Sequence, residues 1–114
     1  MPIPGEVLLI PFPFTDLTTQ KRRPVLVLRQ EDTHGDFLAA AITSQPGCSD
    51  AHALNQPDFQ SGRLPKPSYV RITKLYTLNQ HVAISRFGAL TPDAFARVHA
   101  EICTGLGCSD PFPP

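Results

Sequence analysis

The chain has no tryptophan, one methionine and no excess of either charge, because ten basic side chains balance ten acidic ones. That balance excludes a bulk polycation, and 41% hydrophobic against 18% charged residues excludes a disordered segment. Any anion-binding site must therefore be local. Long apolar runs are also missing, so no membrane-spanning helix is expected, and the opening MPIPGEVLL lacks the cationic start and cleavage site of a secretory signal. The expected location is the cytoplasm. Cys48, Cys103 and Cys108 form an odd set without a C-x-x-C pair, which predicts free thiols rather than disulfides or a zinc site. His34, His52, His81 and His99 are scattered at no metal-ligand spacing, so no metal is expected. No G-x-S-x-G, Walker loop or G-x-G-x-x-G occurs, which leaves hydrolase-elbow and nucleotide-binding readings without support.

What the chain does have is thirteen prolines in 114 residues, a density that interrupts long helices and favours short extended pieces. Branched, apolar runs predict strands at 5–12, at 24–29 and at 37–44. The second, PVLVLR, is apolar at consecutive positions, as in a strand covered on both faces, and Pro24 suits only its beginning. The first two strands are expected to pair antiparallel. Residues 45–68 are polar and rich in Pro, Gly and Ser, and read as a long loop with brief extended pairing. YVRITKLYTL and HVAISRFGAL predict two further strands around the turn NQH. At the end, Thr91 is a good N-cap, Pro92 suits the first helical position, and Phe95, Val98, Ile102 and Leu106 recur at helical spacing. A helix over about 91–105 follows, stopped by Gly105 or Gly107, with 106–114 a frayed tail. The expectation is one domain over 1–114, α+β but mostly β: a strongly bent sheet or small barrel with a C-terminal amphipathic helix.

The residues that could carry chemistry are basic or hydroxyl-bearing. Lys21, Arg22 and Arg23 precede the second strand, and Arg23 is biased towards an extended backbone by Pro24. Arg63, Lys66, Arg71 and Lys74 gather around the middle loop, and Thr43 and Ser44 end the third strand. If strands two and three are neighbours, Arg23 and Thr43 lie near one rim of the sheet. A guanidinium fork and a hydroxyl facing one cleft suit a phosphate. The bland reading stands beside it: basic triplets are commonly solvated faces, Thr-Ser-Gln after a strand is commonly turn chemistry, and Tyr69, Tyr76 and Phe87 serve either base stacking or core packing.

GEVLLIPFPFTDLTTQKRRPVLVL, AAAITSQ and KPSYVRITKLYTL, in this order, resemble the MazF/PemK-like toxins of bacterial type II toxin-antitoxin pairs. The resemblance implies an SH3-like barrel, a homodimer, and metal-independent cleavage of single-stranded mRNA without a cofactor, held in check by a cognate antitoxin protein. It carries the family's active-site arginine onto Arg23 and its threonine onto Thr43, with Ser44 and Gln45 continuing that motif. Lys21, Arg22, Lys66, Arg71 and Lys74 become candidate RNA contacts. Some members place a glutamate before the arginine as a proton acceptor; here the region reads TDLTTQKRR, whose only acid, Asp16, is a candidate for that role beside its reading as a turn residue, so the general base is unassigned. The alternative within the superfamily is a CcdB-like toxin that binds and poisons a protein such as DNA gyrase.

Overall fold

Elements form in the order β1 (Glu6–Pro13), β2 (Gln20–Arg29), β3 (Asp36–Thr43), β4 (Ala51–Leu54), β5 (Phe59–Gly62), β6 (Ser68–Asn79), β7 (Ser85–Leu90) and α1 (Pro92–Gly105). The computed structural model describes residues 2–13, 20–82 and 85–108, with Phe112. The strands make one antiparallel sheet in the order β4-β6-β3-β2-β1-β7-β5. The edge strands β4 and β5 are nearly adjacent in sequence, joined by a 3-10 turn at Gln56–Asp58. A flat sheet would hold its edges ~29 Å apart, at about 4.8 Å per strand spacing, yet the chain from Leu54 to Phe59 reaches only ~17 Å. The sheet must curl into a half-barrel, with β4 and β5 meeting along an unladdered seam.

Consecutive residues of the central strands point into different apolar clusters. Val7 and Leu26 join Ile42, Val70, Leu90 and the helix residues Ala94, Val98 and Ile102 inside the curl. Leu8, Ile10, Val25 and Val27 pack with Phe37 and Ala39 on the other face. Burial on both faces is why PVLVL has no polar alternation. Val25, Leu26 and Val27 are 0% exposed, and each such side chain stabilises the fold by about 1.5–3 kcal/mol relative to exposure. At the seam, Asp58 Oδ2 accepts the Asn55 amide at 2.7 Å and Asp58 Oδ1 accepts Arg97 at 2.8 Å, tying the turn to α1. On the β7 side the backbones almost touch: a Cβ on Gly62 would stand 1.9 Å from the Phe87 carbonyl oxygen.

The helix begins as the sequence predicts, with the Thr91 hydroxyl accepting the Ala94 amide at 3.1 Å. It ends at Gly105, and just past the Leu106 cap the φ of 70° at Gly107 lets the Cys108 amide fold back to the Cys103 carbonyl at 2.9 Å. Three expectations need correction. Leu106 is not in the buried stripe; it caps the helix and is 55% exposed, while Ala94 takes the inner place. The second strand starts at Gln20, four residues before Pro24, because β1 pairs with it as far as Pro13↔Gln20. Pro24 sits one residue beyond the end of the β2–β3 ladder, where a proline is tolerated. His81 and Val82 belong to a short 3-10 turn and not to β7, because Asn79 Oδ1 accepts the His81 amide at 3.0 Å and ends β6. Within residues 45–68 the brief extended pairing that the sequence suggests takes the form of two four-residue strands, β4 and β5.

Candidate functional site

The β2–β3 ladder runs Val27↔Ala39, Leu26↔Ala40, Val25↔Ala41 and ends there, with Arg23 and Thr43 each two residues past its end. Both therefore stand at one rim of the sheet. Beyond Thr43 the chain turns, with Thr43 Oγ1 accepting the Gln45 amide at 3.1 Å. At this rim lies a cleft of about 260 Å³ lined by Arg22, Arg23, Ile42, Ser44 and Lys66, among others. Thr43 is not one of its lining residues, although Ile42 and Ser44 on either side of it are. Lys66 is presented by a Pro-Lys-Pro sequence, so that, like Arg23, it is a cation restricted by the proline after it. Ser68, 6% exposed, fixes the same turn by donating its hydroxyl proton to the Lys66 carbonyl at 2.8 Å.

A larger hollow of about 760 Å³ lies at the β4–β5 seam and shares Leu64, Pro65, Lys66, Ser68 and Phe87 with the cleft as lining residues. Phe59 walls the hollow, and Asn55, Gln56 and Arg63 line its rim. Among the described residues lining either space there are the cations Arg22, Arg23, Arg63 and Lys66 and no carboxylate. A chain of zero net charge thus concentrates positive charge in one place, where it strengthens attraction for a polyanion.

The remaining sequence candidates lie elsewhere. Arg71 donates to Asp50 at 2.8 Å on the β4–β6 side, and Thr73 donates its hydroxyl proton to the same carboxylate at 2.7 Å. The Thr73 hydroxyl, and then the Arg71 guanidinium, pull the Asp50 pKa down from 3.8 to about 2. Lys74 is exposed on β6 and lines neither space, and Gln45 is exposed past the end of β3. Asp16 and the side chain of Lys21 lie outside the described residues. The sequence reading did not single out Phe59, Asn55, Gln56 or Leu64, although FQSGRLPKP interleaves an aromatic ring with cations. Among the described residues no group of three or more His, Cys, Asp or Glu side chains is placed to hold a metal ion, and no helix is long and apolar enough to cross a membrane.

Residues 3–106 match the family model for the PemK-like, MazF-like toxin of type II toxin-antitoxin systems. The chain belongs to this family. No curated protein sequence matches this toxin, but solved structures share its fold. A MazE-MazF complex from Deinococcus radiodurans aligns with a TM-score of 0.74 at 23% identity, over 95% of this chain and 97% of the other. A mycobacterial endoribonuclease in complex with its cognate antitoxin aligns at 0.69 and 20% identity, over 98% and 97%. The Mycobacterium tuberculosis toxin MazF-mt6 aligns at 0.67 and 18% identity, over 89% and 95%. At these identities the likeness speaks for the half-barrel with its C-terminal helix and not for the chemistry.

Proposed function

We propose that this toxin is a sequence-selective endoribonuclease that cuts single-stranded mRNA in the cytoplasm without a metal or other cofactor. The observation that carries the reading is the cleft at the β2–β3 rim, where Arg22, Arg23, Ser44 and Lys66 converge and no described lining residue is acidic. A phosphodiester seated there meets fixed positive charge and a hydroxyl. The ribose 2′-hydroxyl attacks its own 3′-phosphorus, the bond to the 5′-oxygen breaks, and that oxygen takes up a proton. A 2′,3′-cyclic phosphate and a 5′-hydroxyl result. Arg23 stabilises the charge that builds on the non-bridging oxygens, and a hydroxyl from Thr43 or Ser44 orients them. RNA is selected over DNA because only RNA carries the internal nucleophile. No described residue is assigned as the general base.

Two of the structural relatives are complexes with an antitoxin, which supports a cognate antitoxin for this toxin as well. An acidic segment laid across Arg22, Arg23 and Lys66 would block the RNA competitively. We also place the toxin in a homodimer, as the family resemblance implies. A CcdB-like toxin, which binds a protein target without turnover, is the rival reading; the concentration of cations around the cleft favours the nuclease. The test is to incubate the purified toxin with a long single-stranded RNA in excess chelator and to analyse the ends. Discrete fragments with cyclic phosphate termini are expected. RNA left intact at high toxin concentration removes the proposal.

A further inference from the structure

The C-terminus of α1 brings together two sulfurs that the cleft does not use. Gly105 closes the helix, Leu106 caps it, and Gly107 then takes the left-handed backbone at φ 70°. The Gly107 amide bonds the Thr104 carbonyl at 3.0 Å, and the Cys108 amide bonds the Cys103 carbonyl at 2.9 Å. This pair of bonds is the Schellman turn, in which the second residue past the cap lays its side chain against the third residue from the helix end. That contact is commonly apolar; here both of its members are cysteines. Hydrogen bonding to Cys103, and after it burial, holds the Cys108 thiol above the ordinary cysteine pKa, as suits a thiol that donates to a second sulfur. From the preceding turn of the helix, His99 Nδ1 lies 3.8 Å from Cys103 Sγ. The helix end that carries the pair is seated on β6: a Cβ on Gly105 would stand 3.1 Å from Ile72 Cγ2.

We infer that Cys103 and Cys108, paired by this turn, are a redox-active dithiol that small disulfides oxidise to an intramolecular bridge and small thiols reduce again. Both thiols are free in the structure, which is the reduced state. Cys108 is exposed and Cys103 half-buried, so exchange enters at Cys108. Its thiolate, having given its proton to water, attacks one sulfur of the small disulfide; a mixed disulfide forms, the small S–S bond breaks and a small thiolate leaves. Cys103 then loses its proton, attacks the Cys108 sulfur and expels the second small thiolate. Two protein thiols and one small disulfide have become one protein disulfide and two small thiols. An imidazole N–H from His99 favours the Cys103 thiolate that closes the bridge. An exposed bridge is also the labile kind, which suits reversal. Neither sulfur lines the cleft or the seam hollow, so the site is independent of the nuclease reading. Its consequence is mechanical: the bridge fixes the end of α1 and the point from which the segment carrying Phe112, 88% exposed, departs.

The experiment equilibrates the whole reduced toxin with reduced and oxidised glutathione at a series of ratios, alkylates the remaining thiols and weighs the tryptic fragments. No lysine or arginine follows Arg97, so both cysteines leave in the single fragment 98–114, and Cys48 leaves in another. The expected product is fragment 98–114 lighter by two hydrogens and not alkylated, at ratios where Cys48 is still alkylated. Excess dithiothreitol should restore both alkylation sites. Cysteines in 98–114 that stay alkylated, or that carry glutathione without an internal bridge, over the whole range of ratios overturn the inference. A second arm uses Gly107→Ala, with thermal melting to confirm that the variant is folded. A Cβ at that backbone angle disfavours the turn, so bridging is expected to require a ratio about tenfold more oxidising. Bridging as ready as in the wild type would show that the turn does not pair the sulfurs, and overturns the assignment. In a third arm Cys103→Ser is expected to trap glutathione on Cys108; a variant that takes up none there overturns the exchange step.

Discussion

Two hollows on this molecule are lined by side chains of opposite charge. The space at the β2–β3 rim and the seam is lined by cations without a described carboxylate among them. The hollow between β4, β6 and α1, of about 420 Å³, is lined by Asp50 and Glu101 without a described cation in its wall. Both acids are engaged from the side: Asp50 by Arg71 and Thr73, and Glu101 by the His52 ring. Their charge is spent on joining β4 to β6 and to the helix. In a chain with equal numbers of acids and bases, the acids that hold β4, β6 and α1 together and the cations that line the cleft are separated in space, not in sequence.

The sharpest way to break this comparison is Arg23→Ala. Loss of a charge-stabilising donor commonly lowers turnover by ~100- to 1,000-fold, so cutting should fall by about that much with little change in the melting transition. Full activity in a folded variant would take Arg23 out of the mechanism. A smaller effect is expected from the hydroxyls. Thr43→Val and Ser44→Ala, measured side by side, should separate the threonine at the rim from the serine that lines the cleft; loss of one orienting hydrogen bond corresponds to about a tenfold change in rate. If neither variant cuts more slowly, the hydroxyl has no role. The smallest effect on cutting belongs to Asp50→Asn, which should leave the rate per folded molecule unchanged and act on stability alone. Because the folded-state pKa of Asp50 is about 2, below the ordinary 3.8, its contribution is present above pH 4 and is lost as pH falls towards 2. Acid titration of the wild-type toxin should therefore show a destabilising limb in that window, flatter in Asp50→Asn. A fall in turnover at neutral pH in this variant would contradict the division of labour between the two hollows.

Much of the scaffold was legible because its signals are local. PVLVL declares a strand buried on both faces, and Thr-Pro-Asp announces the start of α1. The strands β4 and β5 were legible only as brief extended pairing, since AHAL and FQSG have little apolar pattern of their own and are held by pairing with β6 and β7. The start of β2 was missed for a related reason: proline argues against a central strand, and nothing in the sequence says that this stretch has left its β3 ladder. The same distinction governs the site. A run of cations ahead of proline is visible by eye, whereas Phe59 and Phe87 come to line one hollow only through the pairing of β5 with β7. Arg71 looked equivalent to Lys66 in sequence and is not, because Asp50 is brought to it by β4.

The seam also has an evolutionary consequence. Where two ladders end and a short clasp held to α1 through Asp58 spans the gap, inserting or deleting residues between Leu54 and Asp58 changes the aperture without touching a laddered residue. Relatives built on the same framework can thus diverge in what they accept through the length of one turn, with no need to redesign the protein around it.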